Sequence, residues 1–216
     1  MAARTVREEQ TSETRERILS AAERLFAERG VYAVSNRQVG EAAGQGNNTV
    51  VGYHFGTKPD LIRAVARRHA APIEEIRAGL LARTLGSDDV RDWVSCLVRP
   101  VTGHLAALGT PTWYARFCAQ VMTDPVLYQI MVDETLTSPS MPDLIAGLHR
   151  TLPQQSAEVR AERGAMARHL IVHTCAERER ALAEHTGTPR ATWHETAGGL
   201  IDAITGMWLA PVTPGS

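Results

Sequence analysis

The residues of this chain whose types and spacing could do chemistry lie in the segment Ala43–Lys58. It reads Ala-Gly-Gln-Gly-Asn-Asn-Thr-Val-Val-Gly-Tyr-His-Phe-Gly-Thr-Lys and contains no acidic side chain. The chemistry such a segment suits is recognition of a DNA duplex. Asn47 and Asn48 could make paired hydrogen bonds to adenine, and Thr49 could meet a base edge or a thymine methyl. Gly52 lets main chain approach a groove closely. Tyr53, His54, Thr57 and Lys58 suit phosphate oxygens, contacts that set register without reading sequence. Ser35, Arg37, Gln45 and Val50 flank these residues and complete the candidate DNA-binding set.

Other chemistries find less support. His169 and His173 stand four residues apart, a helical spacing that can ligate zinc. No further ligand type completes a shell nearby in sequence, so no metal is expected. There is no nucleophile elbow, phosphate loop, HExxH or paired-carboxylate motif, so neither an enzyme nor a cofactor is expected.

The elements that must position the segment read as helices throughout. Ser12 could cap a first helix carrying Ile18, Ala22, Leu25 and Phe26 on one stripe, with Gly30 ending it. Ser35-Asn36-Arg37-Gln38 is a capping box for a short second helix closed by Gly44, and Asn47 could cap a third. Val39, Ala42, Val51 and Phe55 are spaced to pack these two on the first. Thr57-Lys58-Pro59-Asp60 opens a fourth, which Pro72 is expected to kink or break. Ser87-Asp88-Asp89, Thr110-Pro111 and Asp124-Pro125 read as further starts, and Ser138–Pro142 and Pro153 as interruptions. Two long helices at about 155–186 and 189–209 finish the chain. The predicted fold is all-α with about nine helices, a three-helix helix-turn-helix domain over 1–60 and a helical bundle over 61–216.

Charge supports the division. Residues 1–70 carry eleven Lys/Arg against eight Asp/Glu, the remainder twelve against sixteen. A basic first third on an acidic body fits an N-terminal module that meets phosphate. Lys58 is the only lysine. The three cysteines, odd in number and far apart in apolar helical contexts, read as buried free thiols in a reducing cytosol. No apolar run approaches the roughly 20 residues that span a bilayer, and the polar N-terminus is not that of a signal peptide. A soluble cytoplasmic protein with no membrane partner is expected.

Residues 14–65 resemble the TetR (tetracycline-repressor-like) family of bacterial transcription regulators. The likeness rests on Thr14-Arg15-Glu16-Arg17-Ile18-Leu19, Ala21–Gly30, Ala42-Ala43-Gly44 and Tyr53-His54-Phe55-Gly56-Thr57-Lys58 with Leu61. Between Gly44 and His54 the chain is one residue longer than the common pattern. Anchoring on His54–Lys58 puts the recognition helix at about Asn47–Tyr53. The resemblance implies a homodimer reading successive major grooves of a palindromic operator. It also implies an effector cavity in the C-terminal bundle, for which a small, largely apolar molecule is expected. Candidate lining residues are His104, Leu108, Trp113, Tyr114, Phe117, Met122, Met131, Met166, His169 and His173. The stripe Trp193, Ala197, Leu200, Ile201, Ile204 and Trp208 reads as a dimer interface, or else as the completion of the monomer core. The functional expectation is a repressor released by its effector. The alternative is a DNA-binding regulator or adaptor without one.

Overall fold

The computed structural model describes residues 2–47 and 49–213, with side chains from Gln10 onward. Among the described residues the fold is all-α: ten helices and no strand. They divide into two compact units. The first comprises residues 1–69 and 113–134, the second residues 70–112 and 135–216.

In the first unit, α1 (Ala2–Arg29) buries Ile18, Ala22, Leu25 and Phe26. It begins ten residues before the expected Ser12 cap, because no glycine or proline interrupts the chain before Gly30. α2 (Asn36–Ala42) and α3 (Val50–Phe55) follow, and α1 packs on α2 and α2 on α3. Val39, Val51 and Phe55 are buried as their spacing predicts. Ala43 replaces Ala42, which is exposed; the stripe is one residue out of the expected phase. α6 (Tyr114–Val121) closes this core, with Phe117 stacked on Phe26 at 6.4 Å. Thr110-Pro111 does not start it: the chain stays non-helical until Tyr114, and the Thr112 hydroxyl bonds the Glu179 carboxylate within the second unit. α7 (Pro125–Leu136) does start at its proline, where the Asp124 carboxylate accepts from the Val126 and Leu127 amides.

α4 (Lys58–Thr84) is continuous through Pro72, with residues up to His69 in the first unit and those from Ala70 in the second. The expected break does not occur. Ala71 and Pro72 lie on the exposed side, where water can serve the carbonyl that proline cannot bond. The second unit further contains α5 (Val90–Leu108), α8 (Met141–Thr151), α9 (Ala157–Ala183) and α10 (Trp193–Leu209). α5 packs on α8 and α10, and α10 on α9. Fully buried Trp93, Val94, Val98, Leu105 and Leu144 form its centre with Ile201 and Ile204. Arg163 donates to the Trp208 and Ala210 carbonyls (both 2.7 Å), satisfying acceptors that the end of α10 leaves open.

Candidate nucleic-acid interface

The reading head is built by local bonds that each follow from a side chain at the right offset. The Ser35 hydroxyl accepts from the Gln38 amide (3.2 Å) while the Gln38 side chain accepts from the Ser35 amide (2.8 Å), the reciprocal box that starts α2. Gly44, at φ +71°, turns the chain in a conformation costly for other residues, and the Gln45 amide bonds back to the Gly40 carbonyl (3.0 Å). A Cβ at Gly40 would stand 3.4 Å from a Val50 methyl, ordinary contact distance, so the α2–α3 approach there would tolerate a small side chain. The Asn47 side chain accepts from the Thr49 amide (2.9 Å) and hydroxyl (2.8 Å). Asn47 therefore braces the turn, and α3 begins three residues later than the register Asn47–Tyr53 expected.

α3 buries Val51 and Phe55 and leaves Thr49, Gly52 and Tyr53 to solvent, Tyr53 being 84% exposed. Its C-terminus is held from α1. Arg15 donates to the His54 carbonyl (2.7 Å), and its guanidinium lies 4.4 Å from the centre of the Phe55 ring. Burial, then the Arg15 charge, lowers the His54 pKa below that of an ordinary histidine. Both effects favour the neutral imidazole over the charged one.

Beyond Gly56, at φ +78°, the Asp60 carboxylate accepts from the Thr57 amide (3.2 Å) and hydroxyl (2.5 Å). The Lys58 ammonium donates to the Val31 and Val34 carbonyls (3.0 and 2.6 Å), and burial lowers its pKa. Two of its three donors are thus committed to the α1–α2 connection. Lys58→Met should cost about 1–2 kcal/mol of stability, since two charge-assisted bonds at a half-exposed site are lost. An unchanged denaturant midpoint would contradict that role.

Of the twelve candidate DNA contacts, Ser35, Arg37, Asn47, Thr49, Gly52, Tyr53 and Thr57 are exposed, and Gln45, Val50, His54 and Lys58 half-buried. Asn48 lies outside the described residues. Arg37 pairs with Glu41 (2.8 Å), an exposed contact worth little. Sequence reasoning passed over Arg15. Its role depends on a partner 39 residues away, which no local pattern announces.

The ten effector candidates are divided between the two units. Trp113, Tyr114, Phe117, Met122 and Met131 belong to the first unit, the other five to the second. Phe117 is core against Phe26, and Tyr114 stacks on buried His69 at 3.8 Å. Trp113 donates to Glu28 (3.1 Å). His104 is buried in α5, whereas Leu108, Met166, His169 and His173 are exposed. Apolar periodicity marks a residue for burial without specifying against which element. The dimer stripe needs the same correction: Ala197, Leu200, Ile201, Ile204 and Trp208 are buried within their own chain, and Trp193 is half-buried. The exposed side of α10 carries Asp202, Ala203 and Gly206, and a Cβ at Gly198 or Gly206 would meet nothing within 4 Å. Among the described residues no helix is long and apolar enough to cross a membrane.

One comparison with known proteins falls on the same segment. Residues 18–65 match the family described as bacterial regulatory proteins of the tetR family. Over 87 residues the chain is 37% identical to the HTH-type transcriptional repressor AcnR of Corynebacterium glutamicum, a match covering 38% of this chain and 46% of that protein. The chain thus spans less than half the length of this curated relative. A solved Mesorhizobium loti MAFF303099 protein assigned to the TetR family of transcriptional regulators aligns over 93% of this chain and 98% of its own, at 16% identity and a TM-score of 0.48. A TetR-family regulator from Streptomyces coelicolor A3 aligns over 91% and 94%, at 25% identity and a TM-score of 0.40.

Proposed function

From the premise that the chain belongs to the TetR family of bacterial regulatory proteins, we propose that it is a homodimeric repressor that binds a palindromic operator through α2 and α3 and leaves it on binding a small molecule. The observation that carries the reading is the exposed edge made by Gly52 and Tyr53 of α3 with Thr49 just before it, set in a stretch from Ala42 to Lys58 without one carboxylate. Recognition by α3 in the major groove, with Tyr53, Thr57 and the remaining donor of Lys58 on phosphate, uses those groups as their chemistry allows. The reading carries forward the division into a DNA-binding segment over 1–60 and a regulatory, dimer-forming segment over 61–216. The exposed small residues of α10 and the exposed Met166, His169, Leu170 and His173 of α9 are the surface on which a second copy would seat.

Release needs a connector, and α4 is suited to that part. It starts beside the Thr57–Asp60 cap and continues without a break to Thr84. An effector can shift operator binding only by its differential affinity for two conformations, and about 1–3 kcal/mol of such coupling corresponds to roughly 5–150-fold.

Selection of an operator from random duplexes tests the reading. A palindromic site should emerge, with binding that weakens steeply as salt rises. Thr49→Ala should relax preference at one base pair in each half-site, while Tyr53→Ala should weaken all sequences alike. Failure to select any duplex at low salt would overturn the assignment.

A further inference from the structure

Within the first unit, α3 is too short to hold its own course. It has six residues, Val50–Phe55, where an isolated helix needs roughly 12–15 to persist in water. No side chain caps its start, Gly52 lies in its interior, and only Val51 and Phe55 are buried. The orientation of its exposed edge must therefore be imposed by neighbouring elements.

Arg15 of α1 supplies that constraint at the last turn. Its Nη1 donates to the His54 carbonyl (2.7 Å), one of the acceptors that a helix C-terminus leaves open. Its guanidinium also lies over the Phe55 ring, 4.4 Å from the ring centre. A directional bond to main chain and a cation on the next residue's ring together fix the turn in position and in rotation about its axis. The arginine itself stands on a rigid base. Ile18 and Leu19, three and four residues further along the same side of α1, are 0% and 5% exposed.

We propose that Arg15 is a positioning residue for operator recognition. It ties the last turn of α3 to α1, and so sets how Thr49, Gly52 and Tyr53 meet base edges, without itself touching DNA. The tie stands on this geometry; its consequence for an operator rests on the repressor reading above.

Two variants of the full chain test it. Arg15→Met keeps an apolar stem beside Phe55 but loses the charge and the donors, whereas Arg15→Lys keeps charge and a donor without the planar fork. Neither touches the buried stripe of α1, so both should stay folded, with circular dichroism as the check. The first measurement is the NMR titration of the His54 imidazole. Burial and then the Arg15 charge hold the His54 pKa down, so Arg15→Met should raise its midpoint and Arg15→Lys should leave it near wild type. The second is affinity for the selected operator and for an unrelated duplex across a salt series. Arg15→Met should weaken the operator by about tenfold or more and the unrelated duplex far less, with the salt dependence unchanged. Arg15→Lys should restore part of the lost affinity.

A phosphate ligand would behave differently. Its loss would weaken both duplexes together and reduce the slope of log affinity against log salt by about 0.9. That result overturns the positioning role, as does wild-type operator affinity in Arg15→Met. A His54 midpoint unmoved in Arg15→Met overturns the tie itself. A wild-type chain that selects no duplex, with a His54 midpoint that does move in the variant, upholds the tie and overturns the repressor reading and the operator role with it.

Discussion

Gly147→Ala is expected to cost about 3 kcal/mol or more, well beyond the usual price of one added methyl group. A Cβ at Gly147 would stand 2.1, 2.2 and 2.4 Å from three carbons of the Trp93 six-membered ring, closer than real carbon contacts allow. Relief would require the ring to move, and it is held. Trp93 is 1% exposed, its indole nitrogen donates to the Ser87 carbonyl (3.0 Å), and the Arg150 guanidinium lies 5.3 Å from its ring centre. α8 would therefore have to move off α5. For a chain of this size each kcal/mol corresponds to roughly 2–4 °C, so a fall of about 6–12 °C in melting temperature is expected. Trp93→Leu should recover part of the loss in the double variant, a coupling that separates this clash from a general dislike of side chains at the site. Wild-type stability in Gly147→Ala would refute the packing described for this unit.

A comparable effect is expected from Ile204→Arg, with a different meaning from the one its sequence pattern suggests. Ile204 is 0% exposed and packs within its own chain, so an arginine there buries an unpaired charge at a cost of about 3–5 kcal/mol. The outcome should be unfolded or insoluble protein, not a folded monomer. Ala203→Arg, one residue earlier on the exposed side of α10, should leave helicity and melting temperature unchanged. If the chain dimerises through that side, sedimentation should show Ala203→Arg as a folded monomer. A folded, monomeric Ile204→Arg would show that the stripe is not core. An intact dimer in both Ala203→Arg and Gly206→Arg would move the dimer surface elsewhere.

Much of the reading head was legible in the chain because its bonds are short in sequence. Ser35 with Gln38 and Thr57 with Asp60 meet at an offset of three, so residue types at those offsets announce a helix start without any tertiary contact. Asp124 before Pro125 is a start of the same kind, and the apolar spacing of Ile18, Leu25 and Phe26 marks one buried stripe. Residues 18–65 also carry enough spaced motif to match the tetR family of bacterial regulatory proteins.

What lay beyond local pattern was the identity of partners. The α10 stripe reads equally as an interface or as core, because burial has the same periodicity whichever surface covers it; the fold settles it by laying α10 on α5. Phe117 looks like a pocket aromatic until α6 is seen to bring it to Phe26, ninety-one residues away in the chain. Lys58 looks like a free phosphate ligand until its ammonium is found on the Val31 and Val34 carbonyls. In each case the side chain's chemistry was plain from its type, while the atoms that satisfy it came together only when distant helices packed.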